Sequence, residues 1–164
     1  MPTVHLICGS TGAGKTTYAI ALASRVKGIR FSIDDWMATL FVPERPNPPS
    51  LAWAAERVGR CVDQMWRTAD QIVARDVDVV FDLGLSRRDD RDRLRMLTAQ
   101  TKARCKLHYL DVSRETRLAR VLGRSAGPTR DSFGITPALF EAMDRCFEAP
   151  TDDELYDAMI VCEG

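Results

Sequence analysis

The chain has 164 residues, enough for one domain with its own core and too few for two. Apolar residues make up 45% and charged residues 28%, and 23 basic side chains balance 23 acidic ones. No bulk field therefore draws polyanions, so any nucleic-acid contact has to be local.

In chain order, "VHLIC" (4–8) reads as a short buried strand running into a glycine-rich turn. "KTTYAIALASRVKG" reads as a helix closed by Gly28. "IRFSI" (29–33) is the next strand, and "FVPERPNPPS" (41–50), with four prolines, predicts a segment without regular structure. Ser50 is placed to cap a helix to about Arg75, whose Val58, Cys61, Val62, Met65, Trp66, Ala69, Ile72 and Val73 keep helical spacing. "VDVVFDLG" (77–84) reads as a buried strand, followed by a helix with Ser86 as its cap and Leu94, Met96 and Leu97 on it. "KLHYLDV" (106–112) predicts a strand and Ser113 a helix start at Arg114, ending near Gly123. After a loop (123–135), Thr136 and Pro137 open a helix to about Phe147, and "AMIVC" (158–162) is the last strand. Five strands alternating with helices predict one three-layer α/β/α domain over 1–164 with a mostly parallel sheet.

No apolar run is long enough to span a membrane, and strand residues from Val4 leave no room for a signal peptide, which predicts a cytoplasmic protein. Five scattered cysteines without CxxC spacing predict buried, reduced thiols rather than a disulfide framework or a zinc site.

"GSTGAGKT" (9–16) completes the pattern GxxxxGK[ST]. Glycines let successive backbone N–H groups turn inward at phosphate oxygens, and the helix beginning near Lys15 adds its positive dipole end. Gly9, Ser10, Thr11, Gly12, Ala13, Gly14, Lys15, Thr16 and Thr17 are the predicted nucleotide-binding residues. Lys15 can reach the β and γ phosphates and the Thr16 hydroxyl can bind Mg²⁺. The pattern arises by chance in roughly one chain of this length in two hundred, and the strand before and helix after make chance rarer still.

Guanine reading needs an Asn/Thr-Lys-x-Asp element; Asn47 is the only asparagine, and "TKAR" (101–104) lacks the aspartate. A mechanical ATPase would follow Asp82 with a glutamate, and here Leu83 follows it. Transfer to an alcohol instead needs a carboxylate at the acceptor hydroxyl and arginines that close over the moving phosphoryl group. "FSIDDW" places Asp34 and Asp35 just past the second strand, beside the cradle; Asp34, nearer the strand, is the favoured base. One of the pair capping a short helix over "WMATLF", or supporting the metal shell, is the alternative. Asp82 is placed to support the metal through water. Arg117, Arg120 and Arg124 share a helix face, and Arg124 opens and Arg130 lies within the loop at about 123–135, which can act as a lid. "RRDDRDRLR" (87–95) reads as a salt-laced outer helix face, and His5 and His108 as satisfied core or edge histidines. "TDDE" (151–154) reads as an acidic helix start or a loop.

The chain resembles the small AAA-type P-loop kinases grouped with polynucleotide kinase, zeta-toxin-like kinases and chloramphenicol phosphotransferase. The likeness runs through "GSTGAGKT", "SIDDW", "VVFDLG", "HYLDVSRETRLARVLGR" and "CFEAPTDDE". It implies strand order 2-3-1-4-5, ATP with Mg²⁺ as donor, Asp34 activating the acceptor, Arg120 against adenine, Arg124 in the lid, and "FEAPTDDE" near the base edge. Polynucleotide kinases commonly carry an arginine three residues after that aspartate; here Met37 stands there. Asp35, Trp36, Phe41 and Trp53, in and around an acceptor-side loop of about 36–50, are then candidate walls of a partly apolar acceptor pocket, or the aromatics belong to the core. The resulting expectation is an ATP-dependent kinase of a small organic alcohol. A polynucleotide 5′-hydroxyl kinase and a non-enzymatic ATP sensor are the alternatives, and oligomeric state is left open.

Overall fold

Val4, Leu6 and Cys8 point to one face of strand β1 (Thr3–Cys8) and His5 and Ile7 to the other, and both sets are buried. A strand buried on both faces belongs in the middle of a parallel sheet covered by helices. β1 pairs in parallel with β3 (Val79–Asp82) on one side and β4 (Arg104–Asp111) on the other. β2 (Ile29–Ser32) and β5 (Met159–Cys162) form the edges, so the order is β2-β3-β1-β4-β5 with every pair parallel. This is the expected order, and the sheet is wholly rather than mostly parallel. The structure, a computed structural model, describes residues 1–48, 50–125 and 135–162, with side chains undescribed at 124 and 125. Arg130, most of the expected lid and the side chain of Arg124 thus lie outside the described residues.

The two sheet faces carry separate cores. Helix α1 (Lys15–Val26) buries Ala19, Leu22 and Ala23 against Ile7, Val80 and Leu110. On the other face, α3 (Leu51–Val73) buries Cys61, Met65, Ala69 and Val73, spaced by four, and α4 (Arg88–Ala99) buries Leu94, against Leu6, Phe31, Phe81 and Leu107. Each such large apolar side chain contributes about 1.5–3 kcal/mol. Ser50 caps α3 as expected, accepting from the Trp53 N–H at 3.2 Å.

Four expectations are corrected. The proline stretch holds one turn of 3₁₀-helix (Val42–Glu44), because a proline at its second position already carries helical φ. Ser86 does not cap α4: its hydroxyl donates to Gly84 O at 3.0 Å, and Glu148, sixty residues on, accepts from the Arg88 N–H at 2.8 Å. Arg91, inside the run read as a salt-laced outer face, is wholly buried. Of the cysteines, all free, Cys146 and Cys162 are exposed rather than buried.

The histidines are satisfied core residues, as expected. His5 Nδ1 lies 2.9 Å from His108 Nε2, and the Tyr18 hydroxyl 2.8 Å from His108 Nδ1. Burial, with His5 alongside, pushes His108 down to about 4, so it is neutral at pH 7. Among the described residues no helix is long and apolar enough to cross a membrane.

Candidate active site

The turn between β1 and α1 carries positive φ at Gly12 (84°) and Gly14 (91°), a left-handed backbone that L side chains resist. At Gly12 space is also denied, since a Cβ would lie 2.6 Å from Arg117 O. Gly14 is the N-cap of α1, without a side-chain cap and without an acid in the first turn. The first N–H groups of the helix therefore face outward with no anion of the protein's own, which is the condition for binding one from outside. Lys15 Nζ crosses the loop, donating to Gly9 O at 2.8 Å and Ser10 O at 3.0 Å. Burial holds its pKa below the ordinary lysine value, while Asp82 and Asp34 oppose that drop. The side chains of Thr16 and Thr17 are exposed at the start of α1.

Ser10 is buried, its hydroxyl donating to Asp144 Oδ1 at 2.8 Å. Asp144 stands on α6 (Pro137–Arg145), which Thr136 caps as expected. Arg117 of α5 (Arg114–Ser125) donates to Ser10 Oγ (2.9 Å), Thr11 O (3.3 Å) and Val112 O (3.0 Å). Arg117 is thus a buried prop behind the cradle rather than a cation on an open helix face. Arg120 does reach the cradle, donating to Ala13 O at 3.4 Å. It borders a cleft of about 530 Å³ between Ala13, Gly14, Tyr18, Leu110 and Val161, beside the glycine loop.

Ser32 ends β2 and caps α2 (Ile33–Leu40), accepting from the Asp35 N–H at 3.3 Å, so neither aspartate is the cap. Both lie in the first turn of α2, where they favour the helix dipole. Register pairs Ser32 with Asp82 across the sheet, which brings Asp34, Asp35 and Asp82 to one end of it. Arg30, which sequence reasoning missed, sorts the three. Its Nε and Nη2 donate to Asp82 Oδ2 at 3.2 and 2.9 Å, and its Nη1 donates to Asp35 Oδ2 at 3.1 Å. Asp34 accepts no hydrogen bond among the described residues. Partial burial first, then the Asp82 charge, raises its pKa above the ordinary aspartate value, with Lys15 pulling the other way. The available signal was Arg30 two residues before Ser32, on the same strand face.

Trp36 packs edge-on to Phe31 with centroids 6.3 Å apart, and Phe41 also leans on the core. Trp53 lies against Arg57 instead, whose guanidinium sits 4.1 Å from the ring centroid. Trp36 and Phe41 therefore lean on the core, and Trp53 packs on Arg57. In the C-terminal segment, Glu154 of the short helix α7 (Asp152–Leu155) is wholly buried. It takes a two-pronged ion pair from Arg91, at 2.7 and 2.8 Å, and another contact from Arg95 at 2.9 Å. Arg91 Nη1 also donates to Leu85 O and Glu148 O. The carboxylates of "FEAPTDDE" that the resemblance sent toward the base edge, Glu148 and Glu154, are engaged in holding α4.

Among the described residues no three metal-ligating side chains converge. Mg²⁺ keeps several waters and takes most other ligands from phosphates; the exposed Thr16 hydroxyl fits that need, whereas Asp82 is buried with one oxygen already engaged by Arg30.

A parallel 2-3-1-4-5 sheet with a glycine loop opening the helix after its central strand defines a small P-loop kinase fold. The family model described as "AAA domain" matches residues 4–150, and the chain belongs to that family. No curated protein sequence matches it. A sugar kinase from Janibacter sp. superposes with TM-score 0.68 at 17% identity, over 99% of this chain and 86% of that one. A gluconokinase from Sinorhizobium meliloti gives TM-score 0.61 at 15% identity, over 98% and 82%. Kti12 from Chaetomium thermophilum, in complex with ADP-AlF3, gives 0.68 at 14%, over 98% and 88%. At these identities the likeness is one of fold.

Proposed function

We propose that the protein is an ATP-dependent kinase that moves the γ-phosphoryl group to a hydroxyl of a small organic acceptor. The supporting observation is Asp34, in the first turn of α2, without a side-chain hydrogen bond among the described residues and near enough to Lys15 for the two charges to act on each other. The sugar kinase and gluconokinase among the fold's neighbours fit such chemistry, and Met37 makes a polynucleotide end a poorer acceptor.

In this reading the amides of residues 9–16 hold the triphosphate and Arg120 lies against the base. The acceptor oxygen forms a bond to the γ phosphorus as its proton passes to an Asp34 oxygen. The bond from that phosphorus to the β–γ bridging oxygen breaks, and ADP leaves with the bridging oxygen. Lys15 turns from its carbonyl partners to the phosphates and stabilises the charge there. Mg²⁺, held by Thr16 and through water by Asp82, would neutralise phosphate charge when bound. Arg124 and Arg130 are assigned by sequence position to a lid that excludes water.

The test is γ-labelled ATP with a panel of alcohols, read by mass spectrometry. Asp34→Asn should lower transfer about 10²–10⁴-fold with ATP affinity nearly unchanged, and Asp35→Asn should be mild. Normal kcat in Asp34→Asn removes the base assignment. Labelling of oligonucleotide 5′ ends alone would replace the acceptor class, and ATP binding with no acceptor would make the protein a sensor.

A further inference from the structure

Helix α3 is longer than the sheet it covers. Its 23 residues span about 34 Å, against about 13 Å for the four residues of β3. Its C-terminal end feeds β3, and its buried residues begin only at Cys61. The first ten residues therefore rise beyond the carboxyl edge of the sheet, alongside α2, which starts at that edge with Asp34 in its first turn.

On this overhang Arg57 is held flat. Its guanidinium carbon lies 4.1 Å from the Trp53 ring centroid and 5.8 Å from that of Phe41, the residue that follows α2. One N–H donates to Trp53 O at 3.1 Å. The same nitrogen, Nη1, forms an ion pair with the adjacent Glu56 at 3.6 Å, too long for a hydrogen bond, and Glu56 is also bonded to Arg60. The Arg57 side chain keeps 22% of its surface, so its other in-plane donors are reachable. An arginine stacked by its face on an indole has already lost most of its rotamer freedom and presents a fixed fork, matched to carboxylate or phosphate oxygens. Phe41 follows the last residue of α2 and stands seven positions after Asp34, a rise of about 10 Å along the helix, the length of a sugar-sized molecule.

We propose that Arg57 is the anion-recognising residue of the acceptor site, so that the acceptor joins a hydroxyl group to a carboxylate or phosphate group. This rests on the kinase reading above and supplies, from a different element, the positive charge missing at Met37. Trp53 and Phe41 then act as the platform that fixes the guanidinium.

The experiment loads the cradle with Mg·ADP, so that it cannot take the probe, and titrates ribitol, ribonate and ribitol 5-phosphate by calorimetry. Saturable binding of ribonate, of ribitol 5-phosphate or of both, with none for ribitol, is the expected result, and the anion that binds tells carboxylate from phosphate. Arg57→Met should weaken that binding at least tenfold and Arg57→Lys less so, with ADP affinity unchanged in both. Equal binding of ribitol, binding of neither anion, or anion binding that survives Arg57→Met overturns the proposal. Should Arg57→Met fail to fold, the lysine variant carries the test: affinity equal to wild type for the anion overturns it. The two readings fail separately. Phosphoryl transfer to neutral alcohols without an Arg57 effect removes the anion site and keeps the kinase, whereas anion binding at Arg57 without transfer to any alcohol does the reverse.

Discussion

Arg117 donates to Asp144 Oδ1 at 2.6 Å, and the same oxygen accepts the Ser10 hydroxyl at 2.8 Å. A helix 130 residues downstream thus closes the back of the phosphate cradle through one carboxylate. Its bonds to Arg117 and Ser10 hold the Asp144 carboxyl below the ordinary aspartate range.

Asp144→Ala should therefore cost about 1–3 kcal/mol of stability, because it leaves the largely buried Arg117 without its anion. Thermal unfolding reads that cost. The same variant should weaken ATP binding, since Ser10 loses its acceptor and Arg117, which holds both Ser10 and Thr11, loses its anion; unchanged affinity would confine the contact to stability.

The Arg91–Glu154 pair is closed to solvent on both sides. Arg91→Met alone should cost about 3–5 kcal/mol by leaving the buried Glu154 carboxylate with Arg95 as its one remaining cation among the described residues, and adding Glu154→Leu should recover much of it. Its bonds to Arg91 bring Glu154 down to about 2 from an ordinary 4.5. A depressed folded pKa gives stability that is complete above about 4.5 and lost as pH falls toward about 2. Glu154→Gln should flatten that acid limb in a pH series of denaturant midpoints.

Arg30→Met removes the cation shared by Asp82 and Asp35. Among the charges acting on Asp34, Arg30 lowers its pKa, so the variant should raise it further. A base must be deprotonated to act, so the acid limb of kcat/KM moves to higher pH. A profile identical to wild type would show that Arg30 does not tune the carboxylates.

Two glycines should respond oppositely. Gly12→Ala meets both a φ of 84° and Arg117 O at 2.6 Å, and should cost about 2 kcal/mol or more together with nucleotide binding. Gly59, inside α3, has nothing within 4 Å of a Cβ. Gly59→Ala should raise stability by about 0.5–1 kcal/mol, seen as a higher Tm.

The five strands and the cradle were legible because each rests on contiguous residues, whereas the strand order came only through the family resemblance. Local pattern reached Ser50, Thr136 and the buried histidines for the same reason. It did not reach Ser86, whose place at the start of α4 is taken by Glu148, because a cap sixty residues away leaves no trace beside the helix. Nor could it separate Arg91 from Arg88, three residues apart in one charged run: Arg91 is buried on Glu154, and Arg88 pairs with Asp153 at the surface.

The order of residues alone thus determined the glycine turn and the helix it opens, because both form from contiguous residues, while tertiary packing adds the Arg117–Asp144 brace behind them. Only tertiary packing decided the tasks of the charged side chains. An arginine's role depends on which carboxylate lies within about 3 Å and on how much water is excluded around the pair, and both are set by helices meeting across the sheet.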